Sequence, residues 1–407
     1  MARLLLAFAL MILPAAARAF SQCAVTAIGG PGAEIAEEGA NPVSWANYIY
    51  TGYVENSKVV VLSSSDGGKT LGAPVAIFDK PGEARNLRLA VSYQHVYALW
   101  GHIKAGAGKL MFSASDDHAA QGSWTRPANL GAYKASALPQ LSADGKNVHV
   151  AYVGTDGMIG VRNSTDSGRS FGPAIAIAPG AMEVVVKSAG RNVYVAWNSA
   201  NPRIDVYFAV SHDGGNTFKT TNLSAGRPSN SGEPILALDP KADRLSLVWR
   251  ENKPSQGAYL QSLDGGESWS QPIFIDAPTR QYMVVDDGAY IYLSYLKMLS
   301  VDGAADWQVY LTYSTDGGKS FGPPKNLSGA TGISTLLGDL YRPVPWISST
   351  GAFRLTGVEA DGVHAWNGRD GQILNPVHLG PGDTASPASN AMTWQNGDQG
   401  VDFAACQ

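Results

Sequence analysis

One phrase returns along this chain at a nearly constant interval, and that restricts what it can fold into. The pattern Ser-x-Asp-x-Gly-x-Ser/Thr, followed by Leu, Phe or Trp, is centred on Asp66, Asp166, Asp213, Asp264 and Asp316. A stretched copy is centred on Asp117. Successive centres lie 51, 49, 47, 51 and 52 residues apart. A period near 50 predicts small sheets, each stacked on its neighbours, as in the blades of a propeller. Each copy reads as a hairpin turn closed by its own side chains. Ser and Asp oxygens bond nearby backbone N–H groups, and Gly takes the positive φ a tight turn needs. The aromatic that follows is expected to start the next strand and face the core.

A second motif keeps the same period. "HVYALWG" (95–101), "NVHVAYVG" (147–154), "NVYVAWNS" (192–199), "RLSLVWRE" (244–251) and "YIYLSYLK" (290–297) are one strand written five times. Its large aromatic falls at Trp100, Tyr152, Trp197, Trp249 and Tyr295, which predicts a packing layer between units. In the third unit "LPQLSA", "VHVAYVG", "MIGVRNS" and "SFGPAIAI" follow one another between turns. Gly is 46 of 407 residues, and no long stretch has helical periodicity. The fold class expected is all-β, a β-propeller of four-stranded antiparallel blades.

The repeated phrase resembles the Asp-box, or bacterial neuraminidase repeat, of the sialidase-like propellers, over residues from about 40 to 325. That resemblance implies that the boxes are structural and lie on the face away from any active site. Enzymatic sialidases of this type are six-bladed. Length favours seven blades here, with 342–380 as the seventh and six as the alternative. The tail 386–407 is then expected to add inner strands to the blade begun by residues 40–78. Such closure removes the open sheet edge.

The ends carry other signals. Residues 1–19 read as a secretory signal peptide, with Arg3, an apolar run from Leu4 to Leu13 and an Ala17-Arg18-Ala19 cleavage site. Residues 20–407 are then one exported domain, periplasmic or extracellular. Cys23 and Cys406, the two cysteines, are expected to pair. No later run is long enough for a membrane helix. A net charge of −4 with 16% charged residues argues against a nucleic-acid partner. No cofactor motif or zinc spacing occurs, and "DDG" (286–288) is too short for a calcium loop.

Functional side chains are expected on the face carrying the blade-to-blade connectors, opposite the boxes. Arg85, Arg227, Arg280 and Arg342 fall at similar phases of four units, in blade-to-blade connectors that also hold Tyr282 and Tyr341, and Arg250 follows in the link after Trp249. Guanidinium forks suit carboxylates. These residues are therefore the candidate ligand-binding set, for an anionic glycan or a protein. The resemblance also implies a second reading, a divergent exo-sialidase-type glycoside hydrolase. However, the family's Arg-Ile-Pro motif is absent, and the region where it belongs reads "NPVSWANYIY". No catalytic residue is assigned.

Overall fold

The computed structural model describes residues 23–35, 42–199, 203–328 and 344–406, apart from 229, 240, 242, 287 and 302–303 and short gaps at 348–351, 360–361, 370–371, 374–376, 382–383, 389–390, 397–398 and 400. Residues 1–19, Tyr341 and Arg342 lie outside the described residues.

The described strands form eight antiparallel sheets. The first six blades span 33–79, 83–132, 140–179, 181–222, 231–275 and 279–326, and each contains one copy of the repeated phrase. The seventh spans 344–380. The eighth is built from Thr384–Ala388, Ala391–Gln395 and Val401–Cys406, with Cys23–Gly29 as its outermost strand. Eight blades replace the expected seven. The tail does not join the blade of residues 40–78, whose inner edge is covered by Ala33–Glu34 and Val43–Trp45. It forms a compact blade of its own, three short strands completed by a strand from the other end of the chain.

Closure of the ring is seen where blade 8 meets blade 1. The Thr51 and Thr393 hydroxyls bond each other at 2.8 Å. The Gln395 side chain accepts from Ile35 N–H at 3.2 Å and donates to the Ala33 carbonyl at 2.8 Å. Ile49 packs with Phe403 and Ala391. Within blade 8, Cys23 stands opposite Cys406 at the end of the pairing between the first and last strands.

The repeated phrase does what its chemistry predicts. It follows the third strand and turns the chain into the fourth. In the box centred on Asp213 the Ser211 hydroxyl donates to the carboxylate at 2.7 Å and accepts from Gly215 N–H at 2.8 Å. The same carboxylate accepts from Thr217 N–H at 3.0 Å and its hydroxyl at 2.7 Å. The boxes of Asp66, Asp166, Asp264 and Asp316 repeat this pattern. In the stretched copy Ser115 pairs with Ser123 at 2.6 Å, and Ala119 takes the glycine place at φ +62°.

The aromatic after the box departs from expectation. Phe171, Trp269 and Phe321 precede their fourth strands, and each packs edge-on against the preceding blade. Their partners are Phe112, Phe208 and Tyr259, at centroid distances of 4.8, 4.9 and 4.8 Å. The box glycine leans on the same partner. A Cβ on Gly266 would sit 2.6 Å from the Phe208 ring, at a φ of +92°. Each of these boxes therefore closes its own turn and fastens its blade to the one before. The second-strand layer is as expected. Trp100, Tyr152, Trp197, Trp249 and Tyr295 are all buried.

One further tie joins blades 5 and 6. Arg244 donates from Nε to Asp286 at 2.7 Å, with a second guanidinium bond to the same carboxylate, and Asp239 stands 3.7 Å away. Asp286, part of the "DDG" turn, is thus the partner of a buried arginine.

Candidate functional site: the connector face between blades 5 and 6

In each of the first six blades the first strand starts from the connector and the third ends at the box. Antiparallel alternation puts these points on opposite faces of the ring. Arg85 and Arg280 lie near the starts of the first strands Glu83–Ser92 and Thr279–Asp286. Arg250 lies near the end of the second strand Arg244–Asn252, opposite Gly232 of the first. Arg227 lies in the connector before blade 5. All four therefore belong to the face away from the boxes, as expected.

The first strands are irregular at this level. Pairing with the second strand shifts between Arg85 and Arg88, between Gly232 and Ile235, and between Arg280 and Met283. A non-glycine residue takes left-handed backbone in each shift: Asn86 at φ +56°, Glu233 at +58° and Gln281 at +56°. Such bulges re-aim side chains, and left-handed backbone at a non-glycine residue is a strain that gathers at functional sites.

The candidate residues divide into two neighbourhoods. Arg85 pairs with Glu83 and acts on Tyr133, which burial holds up at about 12. That places it by blades 2 and 3. Arg227, Arg250, Arg280 and Tyr282 gather at blades 5 and 6. Arg250 Nη1 donates to Glu233 at 3.1 Å. Arg227 Nε donates to the buried Glu251 at 3.1 Å, and the Trp249 indole donates to the same oxygen at 3.0 Å. The Arg227 guanidinium lies 4.6 Å from the centre of the Phe274 ring. Arg280 stacks on Trp307 at 4.0 Å. Beneath them Lys297 grips Asp276 through two contacts of 2.9 and 2.7 Å.

Tyr282 is buried, 1% exposed, and its hydroxyl bonds that of Thr279. Burial raises its pKa, with the nearby Arg250 opposing. Room for its ring comes from Gly257, where a Cβ would lie 2.6 Å from it. Tyr295 is also buried, and burial together with Asp276 raises its pKa. Neither phenol is an exposed nucleophile.

This arrangement offers the chemistry of anion recognition. A guanidinium stacked on an aromatic ring keeps its N–H edge directed outward, where a carboxylate or sulfate is taken in its plane. Phe274, 43% exposed, leaves apolar surface for a sugar ring. The reading from sequence missed Phe274 and Trp307. Trp307 lies in the lead-in "WQVYLTYS" to a box, where it reads as a core position. Among the described residues no group of three His, Cys, Asp or Glu side chains is placed to hold a metal ion. No helix among them is long and apolar enough to cross a membrane.

No family model matches the sequence, and no curated protein matches it either. Solved structures do share the fold. An ulvan lyase from a new polysaccharide lyase family aligns over 93% of this chain and 94% of its own, with 12% identity and a TM-score of 0.50. A structure of that lyase bound to -[GlcA(1-4)Rha3S]- aligns equally well. A prolyl endopeptidase aligns over 83% of this chain and 49% of its own, with 13% identity and a TM-score of 0.52. An endosialidase of phage phi92 aligns over 89% of each chain with 11% identity and a TM-score of 0.44. At these identities the likeness is one of fold, and fold alone does not carry function.

Proposed function

We propose that this protein is an exported, non-catalytic propeller that binds anionic glycans on the connector face of blades 5 and 6. The observation that carries this is the pair of stacked guanidinium groups, Arg227 on Phe274 and Arg280 on Trp307, beside bulged first strands. Arg280 and Arg227 take the carboxylate or sulfate, and the Phe274 ring takes the apolar face of a sugar. Arg250 with Glu233 orders the strand start between them. The ulvan lyase of this fold binds a saccharide of glucuronate and sulfated rhamnose, a ligand class that fits such a surface. Export follows from the leader-like residues 1–19 and the cysteine pair.

Titration calorimetry with a glucuronate-bearing sulfated oligosaccharide tests this. Arg280→Ala is expected to weaken binding by about 1.5–3 kcal/mol, the range for a hydrogen bond to a charged group. Unchanged affinity would remove Arg280 from the site. A fluorogenic sialoside should not be turned over. Turnover that Arg280→Ala abolishes would restore the exo-sialidase-type reading.

A further inference from the structure

The centre of the ring holds a cavity of about 430 Å³, lined by first strands of blades 1 to 7. That volume is in the range of small-molecule sites. Its wall is not uniform. Blades 2, 3 and 4 contribute Arg88, Gln140, Ser142 and Lys187, while blades 5 and 6 contribute apolar groups such as Ile235 and Met283. No Asp or Glu is among the described lining residues.

Lys187 is exposed by surface area, yet protein surrounds it, as fits a side chain reaching into a hollow. It makes no ion pair among the described residues. Burial, and then the charge of Arg88, lowers the pKa of its amine. Two like charges in one low-dielectric hollow oppose each other and carry a desolvation cost. The same walls focus their field on the water between them, which makes the hollow attractive to an anion. Arg88 lies three residues beyond Arg85, past the bulge and deeper in the ring, so this place is distinct from the connector face.

We propose that the central channel is a second site, which takes a small oxyanion, phosphate or the carboxylate of a short organic acid. Lys187 Nζ supplies the charge, from the wall it shares with Arg88. The Gln140 amide and the Ser142 hydroxyl, which also bonds Ser188 at 2.8 Å, supply neutral hydrogen bonds. The apolar wall accommodates the carbon skeleton of an organic acid.

The test is calorimetry of the full chain with inorganic phosphate and with succinate, against chloride at matched ionic strength. The wild type is expected to bind at least one of them saturably at a single site. Lys187→Gln should weaken that binding tenfold or more, Lys187→Arg should keep it within threefold, and Arg280→Ala should leave it unchanged. Among the described residues the Lys187 amine has no ion-pair partner to lose, so Lys187→Gln should fold, and a normal melting curve would show that it does. Absence of saturable binding of both anions to the wild type would overturn the proposal. So would equal binding by Lys187→Gln, or binding lost in Arg280→Ala alone, which would place the anion on the connector face.

Discussion

The serine and aspartate of each box divide the work of holding one turn. The serine hydroxyl is the buried acceptor for the glycine N–H, and the aspartate is the exposed acceptor for the residues beyond it. Ser211 is 1% exposed, so Ser211→Ala leaves the Gly215 N–H unsatisfied in the interior. The expected loss is about 1–3 kcal/mol, read from a urea titration. The aspartates set a pH dependence. Hydrogen bonds from Thr70 first, Ser170 first and Ser268 first lower Asp66, Asp166 and Asp264 from 3.8 to about 2. A carboxylate with a lowered folded-state pKa contributes stability above its unfolded value and loses it as pH falls through the folded one. Urea midpoints should therefore hold down to about pH 4 and fall steeply between there and pH 2. A midpoint flat through that window would contradict the role given to the carboxylates. This chemistry was legible in the sequence because it is local, reaching at most four residues. The contact of Phe171, Trp269 and Phe321 with the preceding blade was not, because its partner lies about 60 residues away in sequence.

Blades illustrate the same divide between local and distant information. The first six were readable because each writes a copy of the box, stretched in blade 2, and blades 2 to 6 also write the aromatic second strand. The eighth writes neither a box nor a fourth strand of its own. It borrows that strand from residues 23–29, at the other end of the chain. One signal for it was present: Trp394 in "NAMTWQN" is the buried second-strand aromatic once more. Between blades the Arg244–Asp286 pair is a buried tie, with side chains 8% and 0% exposed. Its arginine is held charged, chiefly by the hydrogen bonds to Asp286. Asp286→Ala would strand that guanidinium in the interior. The expected cost is about 3–5 kcal/mol, measured by denaturant unfolding. A loss under 1 kcal/mol would mean that Asp239 or water replaces the partner. The candidate site was only partly legible for a related reason. Arginine phase can be counted along a sequence, but the acids and rings that each arginine meets come from other strands and connectors.

For the whole molecule, stability hangs on the seam where the chain's two ends share blade 8. Cys23 and Cys406 stand opposite each other there, and we expect them to be bonded. Thiol labelling of unreduced protein should find neither residue reactive. Cys406→Ser should cost about 2–5 kcal/mol, the usual loss for a native bridge. Two reactive thiols would rule the bond out. The ring also supplies the rigidity that function uses, since connector loops on a closed scaffold hold the two stacked arginines in place without a ligand. We propose that this face binds acidic glycans and leaves them intact. Ligand-observed NMR of a glucuronate-bearing sulfated oligosaccharide, followed over a day with purified protein, reads both halves at once. Saturation transfer to the sugar protons is expected, with no new reducing-end or unsaturated-uronate signal. New end-group signals, or no transfer at all, would contradict it.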